Sequence, residues 1–261
     1  METTPTNSNP GLTGNVLFYK NPQPLSAEQH GGLGVKVVDK PFEFLRSAHA
    51  VPVTVTEFGM LATSYPIIFV GEDRSPVAVM GLRPSENLFV TDSGRVDSDF
   101  YIPAFVRRYP FVFANDPQSD RLLLCVDREA PMVTNQPETP FFENGQPTEF
   151  TENAVDFCKE FERQRRSTLE FLDIIKRFDL LEEKSATFQP RDAQGRETGE
   201  VQKLADYMAI DEQKLNGLTD AQIVELRQAG ALGAIYAHIL SLLNWNRVIQ
   251  RALLAQQATQ A

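Results

Sequence analysis

The sequence predicts an α+β protein in which a strand-rich N-terminal half is packed with a helical C-terminal layer. Three observations predict it. Across residues 16–133, proline and glycine cut the chain into short runs rich in β-branched and aromatic residues, the pattern of strands. From Phe150 onward apolar residues recur at helical spacing instead. No Pro- or Ser-rich linker divides the two parts, apart from the proline-bearing connection "PMVTNQPETPFFENGQPTEF". Residues 16–261 therefore read as one α+β unit, strand-rich over 16–135 and mainly helical over 150–256, behind a flexible polar arm at 1–15.

The strand candidates are "VLFY", "VPVTVTEF", "YPIIFV", "PVAVMGL", "NLFV", "FVFA" and "LLLCVD". Short helices fit where Phe42, Leu45 and His49 share a face, and where Tyr101, Phe105 and Arg108 share another. "TDSGR" reads as a hairpin turn, with Gly94 free to take the positive φ such turns need. "SYPIIFV" and "RYPFVFA" echo each other; proline excludes the preceding tyrosine from the α region, so each Tyr-Pro pair ends a helix and starts a strand. "HGGLGV", from His30, lacks the full dinucleotide-binding spacing and reads as a flexible turn.

In the C-terminal half, "NAVDFCKEFERQRRSTLEFLDIIKRFDLL" places Phe157, Phe161, Leu169, Leu172, Ile175 and Phe178 or Leu180 on one helical face and mixed charges on the other. Residues 185–211 then hold a strand candidate, a charged turn around Gly195 and a second strand near "YMAID", either a hairpin between helices or a return to the first sheet. Thr219 and Gln222 have capping-box spacing, and Gly230 supplies a helix stop. After it, "ALGAIYAHILSLLNWNRVIQRALLAQQ" reads as one long helix with Ile235, Ile239, Leu242, Ile249 and Leu253 along one face.

Charge and composition bound the function. Lys and Arg total 25 against 35 for Asp and Glu, a net charge of −10, which weighs against nucleic acid or an anionic lipid surface as a partner. No secretory signal is visible, and the longest weakly polar run, "LGAIYAHILSLLNW", falls short of the roughly 20 residues that span a bilayer. A soluble, cytoplasmic protein is expected. Cys125 and Cys158 form no disulfide framework, and His30, His49 and His238 show no ligand spacing, so no metal is expected. Neither a phosphate loop nor a nucleophile elbow occurs, and no cofactor or catalytic set is read.

Several polar residues nevertheless stand out. In "FYIPAFVRRYPFVFA", Arg107 and Arg108 sit in an apolar run beside Tyr101 and Tyr109; their guanidinium forks suit a carboxylate ligand or peptide terminus, and equally a pairing with Asp97 or Asp99 or a helix-end cap. Tyr65 occupies the equivalent place in the earlier Tyr-Pro pair. "GLRPSENLFV" offers Arg83, Glu86 and Asn87 in a loop, and His238 is either a ligand-facing imidazole or a hydrogen-bonded core residue.

Taken in order, "LFYKNPQPLS", "VPVTVTEFGMLATSYPIIFVG", "PVAVMGLRPSENLFV", "YIPAFVRRYPFVFA", "RLLLCVD" and "GALGAIYAHILSLLNWNRVIQR" resemble the SapC family of bacterial proteins. The resemblance implies an association with a paracrystalline surface layer and no established reaction. Some members are labelled peptide-transporter components, and relatives tend to lie near genes for outer-membrane receptors and flavin-dependent halogenases. It therefore implies a non-enzymatic accessory or binding protein in surface-layer assembly or nutrient uptake. The resemblance brings no site residues with it; from the residues themselves, a protein or peptide partner is expected to meet Tyr65, Tyr101, Arg107, Arg108 and Tyr109. The alternative is an enzyme, or partner of a redox or modifying enzyme, with a pocket near Arg83, Arg107 and His238.

Overall fold

The computed structural model describes residues 16–115, 121–189, 194, 196 and 198–260. The N-terminal arm and Gly195 lie outside the described residues. The fold is α+β, and by contact density the chain forms two compact units, each assembled from two segments. Among the described residues no helix is long and apolar enough to cross a membrane.

The first unit comprises Met1–Phe44 and Arg107–Glu162. Its main sheet has Leu122–Asp127 at the centre, flanked antiparallel by Pro22–Pro24 and Phe111–Asn115. A smaller sheet pairs Gly34–Val35 with Val133–Thr134 and Thr139–Pro140. Leu33, Phe111, Val126, Phe141 and Cys158 form the core. The flexible turn expected at "HGGLGV" is instead packed. A Cβ on Gly34 would lie 2.1 Å from the Thr139 carbonyl oxygen, so only glycine allows these strands to approach. His30 is buried, and its Nδ1 accepts from the Ser26 amide at 3.2 Å.

"VLFY" is likewise a turn rather than a strand, because the amides that follow it bond to a carboxylate and not to a ladder. Asp127, fully buried, accepts from the amides of Lys20 (3.0 Å), Asn21 (2.9 Å) and Glu129 (3.1 Å) and from the Tyr109 hydroxyl (3.3 Å). One side chain thus binds the start of the described chain to the end of the central strand.

The second unit comprises Leu45–Val106 and Arg163–Ala261. Its five-stranded antiparallel sheet runs in the order Leu181–Phe188, Gln202–Ile210, Ile67–Val70, Ser75–Val79, Ala50–Pro52. Both readings of residues 185–211 hold at once: the two strands form a hairpin, and Met208 opposite Phe69 joins it to the earlier strands. Each Tyr-Pro pair follows a short helix, Phe58–Leu61 or Ala104–Arg107, and precedes a strand, as expected. Gly94 has φ 66° and closes the predicted turn, with the Thr91 amide on the Arg95 carbonyl.

One expected strand fails and another is cut short for a shared reason, side chains that capture backbone groups. In "NLFV", Asn87 Nδ2 donates to the carbonyls of Leu45 (3.2 Å) and Ala48 (3.0 Å) while its oxygen accepts from the Phe89 amide, leaving only a Val90–Val96 bridge. In "VPVTVTEF", the Thr54 amide donates to Glu57 Oε2 at 3.1 Å, so the strand stops at Pro52 and a 3-10 turn, Val55–Glu57, begins. The helix expected around Phe42, Leu45 and His49 shrinks to one 3-10 turn, Glu43–Leu45.

The predicted long helix spans Glu149–Arg177, its residues to Glu162 in the first unit and the rest in the second. Its buried stripe includes Thr168 rather than Leu169, which is 48% exposed; the Thr168 hydroxyl accepts from the Val55 amide at 2.9 Å. Thr219 and Gln222 form the expected capping box, and Gly230 turns at φ 68°. The single helix expected after Gly230 is split into Ala231–Ser241, a 3-10 turn Leu242–Asn244 and Trp245–Gln260. Ser241 Oγ donates to its own helix at the His238 carbonyl (2.6 Å) and accepts from the Ile67 amide (2.9 Å). Asn244 Nδ2 reaches the Ala62 carbonyl (2.7 Å) and the Ser241 carbonyl (3.0 Å). These bonds compete with the regular ladder and tighten that turn.

Replacing Asp127 by alanine strands three amides and a phenol, each worth about 1–3 kcal/mol when left without a partner, so a loss of at least about 3 kcal/mol is expected. Asp127→Asn, which keeps one acceptor oxygen, loses less. Urea unfolding of the three proteins at a common slope checks this order.

Candidate functional site

An open groove of about 1000 Å³ lies within the second unit. Phe58 and Phe171, buried and set edge to face at 5.8 Å, contribute its apolar part together with Ile174. One wall is Gly59, Ala229, Gly230, Ala231, Gly233 and Ala234. A Cβ built on Gly59 or Gly233 meets nothing within 4 Å, and neither glycine has a positive φ. Glycine in a helix costs about 1 kcal/mol relative to alanine, so these two positions forgo stability and leave backbone bare to the groove. Beside Gly59, Met60 stands 57% exposed.

The polar lining is acidic. Glu170, Asp173 and Glu225 face a single cation, Arg177, an excess of two negative charges. Arg177 is hydrogen-bonded to Glu225. Glu170 and Asp173 are exposed, and their carboxylates make no hydrogen bond or ion pair with another described residue. Aromatic floor, bare wall and uncompensated carboxylates together suit an apolar segment that carries positive charge.

The residues singled out from sequence fall into two groups. In the first unit, Arg107 is exposed with its guanidinium 5.2 Å from the Phe157 ring centroid. Arg108 is buried, 4.4 Å from the Phe161 centroid and 5.9 Å from that of Tyr19. Tyr109 stacks on Phe44 at 4.2 Å, meets Tyr19 edge-on and donates to Asp127. In the second unit, Tyr65 is fully buried against Phe89 (4.7 Å) and Phe100 (6.2 Å). The Tyr101 hydroxyl donates to Glu57 Oε1 at 3.0 Å, and its amide donates to Ser64 Oγ. Asn87 is the buried turn-former described above, and Arg83 is exposed on the neighbouring turn.

His238 is fully buried in the core. Its ring lies 4.8 Å from Phe69, and Nε2 accepts from the Ile210 amide at 3.1 Å, which places its proton on Nδ1. Burial first, and then the charge of Lys184, hold its pKa at about 3 against an ordinary 6.5.

Two arginines on the last helix were not singled out from sequence. Arg247 Nη1 donates to the carbonyls of Thr63 (2.6 Å) and Ser64 (3.1 Å), and Arg251 Nη1 to that of Leu88 (3.1 Å). The Arg251 guanidinium lies 4.8 Å from the Phe89 centroid and 4.5 Å from Phe100, which Arg247 also faces at 5.7 Å. A signal existed: His238, Ser241, Asn244, Arg247 and Arg251 follow at steps of three or four through an otherwise apolar run, one polar stripe.

The depressed His238 value fixes a sign. Between about pH 6.5 and 3 the unfolded chain binds a proton there that the folded chain does not, so stability falls as pH drops through that window. Wild type is expected to lose stability from pH 6.5 to 5 with an extra slope, up to about 1.4 kcal/mol per pH unit, that His238→Gln lacks. Urea unfolding across that range measures the difference.

The SapC family's profile matches residues 25–248, through both units. No curated protein and no solved structure matches the chain. The chain belongs to the SapC family.

Proposed function

We propose that this chain is a non-enzymatic accessory or binding protein that holds a cationic, amphipathic helical segment of a protein partner, in the service of surface-layer assembly or nutrient uptake. The observation that carries the reading is the groove: an apolar floor, a wall of glycine and alanine, and two exposed carboxylates with no partner among the described residues. A helix laid in a groove buries one face against such a floor, and its basic residues meet the rim. Small wall residues let the partner's backbone come close. The setting in this reading is the cytoplasm, where the thiols of Cys125 and Cys158, both pushed up to about 11 by burial, stay protonated and inert.

A chain with a net charge of −10 attracts any polycation, so the test must separate the groove from the bulk field. The probe is an 18-residue amphipathic helix with leucine on one face and lysine on the other, beside a twin with glutamate for lysine, in calorimetric titrations at 150 mM salt. The lysine peptide is expected to bind and the glutamate twin not. Gly233→Leu, at a groove-wall position where an added Cβ meets nothing within 4 Å, is expected to unfold no earlier than wild type and to weaken binding at least tenfold. No binding, or binding indifferent to Gly233→Leu, overturns the reading.

A further inference from the structure

The pair Arg247 and Arg251 poses a problem that the groove does not answer. Carboxylates outnumber cations 35 to 25 in this chain, yet neither arginine meets one among the described residues. Their acceptors are three main-chain carbonyls, all reached by Nη1 alone, which leaves Nε and Nη2 of both guanidiniums uncommitted. Like charges one helical turn apart repel, so the arrangement gains from a negative charge placed between them. Arg247 is exposed and Arg251 half-buried, so both forks are within reach of a solute.

A second, independent observation points the same way. Tyr65 is fully buried, and its hydroxyl has no hydrogen-bond partner. The rings it packs against, Phe89 and Phe100, are the rings that carry Arg251. Burial raises its pKa above the ordinary phenol range even though Arg251 and Arg247 pull the other way, so it remains a donor. A buried donor with nothing to donate to is uncommon in a folded protein.

We infer that Arg247, Arg251 and Tyr65 form a site for an oxyanion, a carboxylate or phosphate group. The two forks grip its oxygens from one side, in the bidentate manner guanidinium favours, and the phenol donates a third hydrogen bond from below. The Tyr65 hydroxyl is wholly buried, so this site requires a neighbouring ring to give way, and Phe100, half-buried in the irregular backbone of residues 97–103 and packed 6.2 Å from Tyr65, is the one we assign to do so. This inference stands apart from the groove, whose lining shares no residue with the three.

The test is a titration of the full chain with inorganic phosphate and, separately, with succinate, at constant ionic strength, following the arginine Nε–H resonances by NMR. Saturable shifts of Arg247 and Arg251 are expected. Saturation by phosphate alone assigns a phosphoryl group, and saturation by both assigns oxyanions generally. Arg251→Lys and Arg247→Lys, which keep charge but lose the fork, are expected to weaken binding about tenfold. Tyr65→Phe gives the distinguishing signature: the ligand-free protein melts no lower than wild type, because only an unpartnered hydroxyl is removed, while the anion binds several-fold more weakly. Shifts that never saturate with either anion overturn the site, and so does a Tyr65→Phe protein that melts earlier with binding unchanged.

Discussion

The second unit depends on a clamp between the last helices and the turn ahead of Pro66. Asn244 takes the carbonyls of Ala62 and Tyr65, Arg247 those of Thr63 and Ser64, and Ser241 the amide of Ile67. Five of the six residues 62–67, most of which belong to neither helix nor sheet, are thereby bonded by three side chains from far along the sequence. Backbone polar groups removed from water must find partners, and here tertiary side chains supply what secondary structure does not. The same bonds break the C-terminal helical run at Leu242–Asn244 and set the direction of the helix that carries Arg251. Tyr65, Phe89 and the two arginines come together as a result.

Each unit also has a buried carboxylate that organises loops. In the second, Glu57 caps its own turn through the Thr54 amide and accepts from the Tyr101 hydroxyl and the Ala104 amide. In the first, Asp127 gathers three amides and Tyr109. A buried acid surrounded by donors is costly to assemble and more costly to disrupt, so these two positions specify local conformation where regular structure is sparse. The aromatic residues around them supply contact area, and the carboxylates fix which contacts form.

Much of the fold was legible in the sequence because its signals are local. The Tyr-Pro pairs, Gly94, Gly230 and the Thr219 box act through the backbone of their own neighbourhood, and each marks the boundary it was expected to mark. What was not legible came from side chains acting at a distance. Asn87, in a β-rich run, spends its amide on carbonyls about forty positions earlier, so "NLFV" keeps only the Val90–Val96 bridge. Thr168 replaces Leu169 on the buried stripe because a hydroxyl is needed for the Val55 amide, a need invisible to hydrophobic periodicity. The site was partly legible: Tyr65 was singled out for its neighbour Pro66, whereas Arg247 and Arg251 lay in a stretch read only for its apolar face. The groove was not legible at all, since glycine and alanine in a helix are read as propensity until their empty side is seen.

Amide hydrogen exchange in Asn244→Ala measures the clamp directly. The variant loses the side chain that holds the Ala62 and Tyr65 carbonyls while the strand Ile67–Val70 keeps its own ladder bonds. If the clamp governs this region, exchange accelerates at least tenfold across residues 62–67 and at Arg247, while Leu181–Phe188, at the far edge of the sheet, keeps wild-type protection. Unchanged exchange over residues 62–67 would contradict a governing clamp, because the turn would then be held by the sheet alone and the polar stripe of the last helices would be incidental.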